Sequence, residues 1–197
     1  MKKTIVLFAI LAICQIAVFA DTATLDLATI ATFAQFNQSN SAVVTLQTGV
    51  TSEVVRYTTS YPNLTGAQWA NVGNTSLALN LTGSSDLALN VFNSNENPWT
   101  FELFVTDGSS TSSTGPISIT EGTGQDMVVS LTGLNAANIT GVWIQISGVL
   151  PIIGDDGKED RTAEYDLAPV SVPEPASLLL LGTGVFGLGL LSRKWRG

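Results

Sequence analysis

Four carboxylates crowd into the run Gly154-Asp155-Asp156-Gly157-Lys158-Glu159-Asp160. Oxygen-rich side chains on a glycine-containing turn are the chemistry of a calcium site, so Asp155, Asp156, Glu159 and Asp160 are candidate Ca²⁺ ligands. The spacing is not that of an EF-hand loop, and a solvated acidic turn explains the same run in so acidic a chain. A second candidate lies in Val142-Trp143-Ile144-Gln145-Ile146, where strand periodicity puts Trp143 with Gln145 and Ser147 on one face and the aliphatics on the other. With the aliphatics in a core, the indole and the Gln145 amide form a platform for the apolar face of a sugar ring. With both faces covered, Trp143 is simply core.

Other chemistries are excluded by absence. The 197 residues contain no histidine and one cysteine, Cys14. Ser-His-Asp and Cys-His catalysis and imidazole metal ligation are therefore out of reach. Two carboxylates across a sugar suffice for glycoside hydrolysis, but no spacing here identifies such a pair. The expectation is a protein that is not an enzyme, with no catalytic residue and no cofactor other than that calcium. From Asp21 to Val172 there are 15 acidic residues and three basic ones (Arg56, Lys158, Arg161), a net charge of −12. Such a surface repels phosphate backbones, so nucleic acid is not a partner.

Both ends of the chain read as addresses. Lys2 and Lys3 precede an apolar run from Thr4 to Val18, and Val18-Phe19-Ala20 places the cut of a secretory signal peptide between Ala20 and Asp21. At the other end, Pro173-Glu174-Pro175 breaks regular structure before the mostly apolar run Ala176 to Leu191, and Arg193-Lys194-Trp195-Arg196 closes the chain. As a helix that run rises roughly 24 Å, short of a hydrocarbon core of about 30 Å. Gly182, Gly184, Gly187 and Gly189 weaken it further, which makes a loosely held single transmembrane helix. The terminal cations Arg193, Lys194 and Arg196 act as a stop-transfer tail that stays cytoplasmic. The chain thus divides into a signal peptide (1–20), a cargo domain (21–170) and a C-terminal segment (171–197).

The tripartite C-terminus, with its Pro173-Glu174-Pro175 motif, Gly/Leu-rich span and basic cluster, resembles the PEP-CTERM sorting segment. The resemblance covers about the last 25 residues and implies nothing about the cargo. It does imply export in a Gram-negative bacterium, transient anchoring in the inner membrane, and processing by signal peptidase and then exosortase. Release or transfer to the cell surface or extracellular matrix follows, and members are often associated with exopolysaccharide and biofilm. By that resemblance Pro173, Glu174 and Pro175 are the recognised motif.

The cargo is built from short strands: Ala42 to Gln47, Glu53 to Thr58, Ser76 to Leu81, Leu87 to Phe92, Trp99 to Thr106, Ile117 to Thr120, Asp126 to Leu131, Gly141 to Ser147 and Ala163 to Leu167. Alternation is clearest where Trp99, Phe101, Leu103 and Val105 share one face, although Phe104 breaks the polar side. Short strands divided by Gly, Asn and Pro clusters predict an all-β domain, a β-sandwich or jelly roll. The repeated Leu-Ala-Leu-Asn at Leu77 to Asn80 and Leu87 to Asn90 predicts a hairpin with a five-residue loop. Asp107 to Gly115 reads as a solvent-facing loop, and Leu25 to Phe36 fits a helical stripe and strands equally. Asn37, Asn63, Asn74, Asn80 and Asn138 are formal glycosylation sequons that an Asn/Thr-rich composition produces by itself.

The function expected is an exported surface or matrix protein with a structural or adhesive role in exopolysaccharide or biofilm. The alternative is a secreted carbohydrate-binding module, and a carboxylate-only glycoside hydrolase stands third.

Overall fold

The computed structural model describes residues 21–39, 43–47, 53–62, 64–153 and 157–170, and Asp21–Val170 form one compact unit. The predicted signal peptide, the transmembrane sorting helix and the motif at Pro173 to Pro175 lie outside the described residues. Among the described residues no helix is long and apolar enough to cross a membrane.

Among the described residues fourteen strands carry the fold, in this order: β1 (Asp21–Thr24), β2 (Ala34–Gln38), β3 (Val43–Gln47), β4 (Val55–Ser60), β5 (Gly66–Asn74), β6 (Ser84–Asn93), β7 (Trp99–Thr106), β8 (Thr111–Ser113), β9 (Ile117–Ile119), β10 (Gly124–Ser130), β11 (Gly141–Leu150), β12 (Ile152–Ile153), β13 (Glu159–Asp160) and β14 (Thr162–Ala168). Two six-stranded sheets form a β-sandwich. In the first, β6 pairs with β10 on one side and with β1 and β14 on the other, and the sheet continues through β4 to the edge strand β3. In the second the order is β2-β5-β11-β7, with β8 and β9 both on the far side of β7. The long strands β4, β5, β6, β7, β10, β11 and β14 alternate between the sheets in sequence, which is jelly-roll winding.

Alternation decides which way each strand faces. In β7 buried and half-buried residues alternate through all eight positions, sending Trp99, Phe101, Leu103 and Val105 inward and Thr100, Glu102, Phe104 and Thr106 outward. In β11 Val142, Ile144 and Ile146 go inward, and in β14 Ala163, Tyr165 and Leu167 do. Between the sheets Tyr165 stacks on Tyr57 at 5.8 Å and meets Phe101 edge-on at 5.5 Å, while Tyr61 stacks on Trp99 at 5.7 Å. Burying a phenol demands a partner for its hydroxyl. Tyr57 Oη donates to the Ile30 carbonyl at 2.7 Å, Tyr61 Oη donates to the Ile146 carbonyl at 2.9 Å, and Tyr165 Oη shares a 3.1 Å bond with Thr59 Oγ1.

Two local expectations are corrected, and one left open is resolved. Ser76 to Leu81 is not a strand: within it Leu79 makes only an isolated bridge to Ile139, and β6 pairs with β1, β10 and β14, so the Leu-Ala-Leu-Asn hairpin does not form. The second Leu-Ala-Leu-Asn belongs to β6, whereas Asn80 of the first uses its side chain to accept from Thr82 N at 3.0 Å, which starts a turn. The strand in that region is β5, whose two glycines and three amide side chains carry low β-propensity but which is held between β2 and β11. The Asp107 to Gly115 loop contains β8, tied to the outer part of β7. In Leu25 to Phe36 both readings hold: a one-turn helix α1 (Leu27–Ile30), N-capped by Asp26, buries Ile30 and leads into β2.

Candidate functional site

The outer face of the second sheet is built in rows, because residues in register across neighbouring strands point the same way. Trp143 of β11 lies opposite Gly73 of β5 on one side and Phe104 of β7 on the other. Trp143 and Phe104 stack at 5.1 Å with planes 5° from parallel, and Phe36 of β2 meets the indole edge-on at 5.8 Å. Strands sit about 4.8 Å apart, so β2 and β11 are separated by roughly 10 Å with β5 between them. Gly73 leaves that gap open: a Cβ there would fall 2.2 Å from Trp143 Cβ and 2.3 Å from the Val142 carbonyl oxygen. Phe36 sits where the β2 register shifts between Gln35 and Asn37, and it is 43% exposed.

The next row is polar. Asn37 pairs with Asn71, Asn71 with Gln145 and Gln145 with Glu102. Gln145 Nε2 donates to Asn71 Oδ1 at 3.1 Å, and Ser113 Oγ of β8 donates to Glu102 Oε1 at 2.7 Å. One row further, Trp69 of β5, Ser147 of β11, Thr100 of β7 and Ser118 of β9 are in register. The face therefore runs from an aromatic row, through amides and one carboxylate, to hydroxyls beside a second indole. Amide and hydroxyl groups both donate and accept, and aromatic rings offer apolar area, so the arrangement can hold a polyhydroxylated ligand.

The sequence-predicted residues are placed as follows. Trp143 and Gln145 lie on this outer face, half-buried, with the indole packed on Phe104 rather than standing alone. Phe36, Asn71 and Trp69, which sequence reasoning did not assign to the site, join them through β2 and β5. The signal available was Phe104, the one aromatic on the polar side of β7.

Of the four calcium candidates, Asp155 and Asp156 lie outside the described residues. The other two serve the local fold. Glu159 Oε2 pairs with Arg161 Nη2 at 3.0 Å, while Asp160 accepts from Asn97 Nδ2 at 3.0 Å and from Thr162 N at 2.9 Å. They border a polar hollow of about 500 Å³ shared with Ser94, Asn95 and Glu164. Among the described residues no three acidic, His or Cys side chains converge on a point that would hold a metal.

Charge is distributed unevenly. Arg56 of β4 donates through Nε and Nη2 to both oxygens of Asp166 at 2.6 and 2.7 Å, and this bidentate bond and the carboxylate's charge raise the Arg56 pKa. At one end of the sandwich Asp107 Oδ1 accepts from the backbone N–H of Ser109 and Ser110, and Oδ2 accepts from that of Asn135. These bonds, the Asn135 one first, hold the carboxyl below the usual range.

No curated protein matches the chain in sequence. Among solved structures, the chain is similar to a carbohydrate-binding module of the β-sandwich superfamily, with TM-score 0.43 and 12% identity over 70% of this chain and 54% of that one. It is also similar to an exo-β-agarase, with TM-score 0.46 and 10% identity over 74% of this chain and 24% of that one. A third is the family 11 carbohydrate-binding module of a Clostridium thermocellum cellulosomal cellulase, with TM-score 0.38 and 10% identity over 69% of this chain and 84% of that one. The chain thus spans about half of the first of these structures and about a quarter of the second. At its C-terminus, residues 171–194 carry a PEP-CTERM protein-sorting motif.

Proposed function

We propose that the protein is exported, cut at its C-terminal segment by an exosortase, and retained at the cell surface or in the extracellular matrix by adhesion to polysaccharide. The observation that carries the adhesive part is the outer face of the second sheet. There Phe36, Trp143 and Phe104 form an aromatic row beside the amide row Asn37, Asn71 and Gln145. Clustered rings on the solvent side of a sheet are an unusual use of apolar area, and a ligand that covers them recovers it. The sorting motif supports the export part, because a substrate of that route is delivered to the polymer outside the cell. The apolar face of a sugar ring suits the aromatic rings and its hydroxyls suit the amides.

Two measurements test this reading. The first is retention of the exported protein in native gels cast with the producer's own polysaccharide, compared with Phe36→Ala. Retention that falls at least several-fold in the variant supports the reading, and equal mobility with and without polysaccharide sinks it. The second is the intact mass of protein recovered from the cell surface. A product lacking Leu178 to Arg193 is expected, and its persistence in cells with a working exosortase removes the processing step.

A further inference from the structure

The six strands of the second sheet contain one charged residue, Glu102, whereas the first sheet carries Asp21, Arg56, Asp86, Asp126, Glu164 and Asp166 in its strands. The three cations of the compact unit are all away from the aromatic face. Arg56 is locked to Asp166 in the first sheet, Arg161 bonds Glu159 and the Leu64 carbonyl, and Lys158 lies by the polar hollow. Glu102 sits in the amide row beside Gln145, where Ser113 Oγ fixes one of its oxygens.

From this charge segregation we infer that the face takes a neutral polysaccharide, and that Glu102 is the residue that turns anionic ones away. The inference rests on the polysaccharide reading above and narrows it to a substrate class. A uronic-acid or sulfated chain laid across the amide row would bring its charge against Glu102 with no cation in the sheet to offset it. A neutral chain meets no such opposition, and the carboxylate then serves as an acceptor for two sugar hydroxyls. Neutral binding made by ring contacts and uncharged hydrogen bonds also changes little with salt, because there is no ion pair to screen.

The test is affinity electrophoresis of the exported protein in gels containing neutral probes (hydroxyethyl cellulose, mixed-linkage β-glucan, galactomannan, dextran) or anionic ones (alginate, polygalacturonate, dextran sulfate). The expected result is retention by at least one neutral probe with little dependence on salt, and measurably weaker retention by the anionic probes. Glu102→Gln should raise the ratio of anionic to neutral retention about threefold, the scale of one exposed charge a few ångströms away. Asp126→Asn, which removes a charge from the first sheet, should leave that ratio unchanged. Anionic retention by the wild type equal to the neutral, with Phe36→Ala abolishing both, overturns the charge selection while the polysaccharide reading survives. Retention by none of these probes and none by the producer's own polysaccharide overturns both, as does loss of a dimer on Phe36→Ala in sedimentation, which assigns the face to a second copy of the chain.

Discussion

Phe104 and Trp143 stack across the β7–β11 pair at 5.1 Å on the solvent side of the second sheet, directly above the buried neighbours Leu103, Val105, Val142 and Ile144. The indole is therefore a structural part of the face it belongs to. Trp143→Ala is expected to lose the stack and the apolar area it covers, lowering unfolding free energy by about 1–3 kcal/mol. Phe36, 43% exposed at a register shift in β2, should cost less than about 1 kcal/mol when cut to Ala. Chemical denaturation of both variants checks this, and binding loss is cleanest to interpret in the Phe36 variant.

Gly73 should be intolerant of any side chain. Its added Cβ would meet backbone and near-backbone atoms of β11, 2.2 Å from Trp143 Cβ and 2.3 Å from Val142 O, none of which is the far end of a flexible group. Strand β5 would have to part from β11 or shift its register. Gly73→Ala is expected to destabilise by about 3 kcal/mol or more, read as a drop in Tm.

The strands that sequence reasoning located are those in which alternation and β-propensity agree. Trp99 to Thr106 appears at its predicted bounds, because large apolar residues fill every second position and six of the eight residues are aromatic or β-branched. Strand β5 was illegible for the opposite reason: Gly-Ala-Gln-Trp-Ala-Asn-Val-Gly-Asn has little local preference, and its two neighbours in the sheet impose the conformation. The site suffered accordingly. The phase of β11 put Trp143 and Gln145 on one outer face, but Asn71 and Trp69 ride on β5, and Phe36 arrives through a register shift that no periodicity announces. The Leu-Ala-Leu-Asn repeat misled because Asn80 caps a turn while Asn90 sits within a strand, a difference made by surroundings rather than by the four residues.

The Arg56–Asp166 pair gives a third prediction. Asp166 is 7% exposed and depends on Arg56, whose side chain is 44% exposed, for its two short bonds. Arg56→Met leaves a buried carboxylate without that partner and should cost about 1–3 kcal/mol. Replacing both, as Arg56→Met with Asp166→Leu, removes the orphan and should restore part of the loss. Denaturation midpoints of the two single variants and the double one complete the cycle, and strict additivity would mean the pair is not coupled.

All three tyrosines of the chain, Tyr57, Tyr61 and Tyr165, are buried, and burial pushes each phenol pKa well above its ordinary value. A phenol in the unfolded chain loses its proton near pH 10, while the folded one keeps it to higher pH. Between those limits the unfolded state binds fewer protons, so stability falls as pH rises. The stabilisation is fully present below about pH 10 and is lost above it, at about 1.4 kcal/mol per pH unit for each phenol and roughly 4 for the three together. The absorbance of tyrosinate near 295 nm should therefore stay flat through pH 10 and rise with the loss of near-ultraviolet circular dichroism, in one step. A smooth titration centred near pH 10 in protein that is still folded would mean that a phenol reaches water. Tyr61→Phe loses the bond to Ile146 O and one titrating group, so its stability should fall less steeply above pH 10 from a lower starting value.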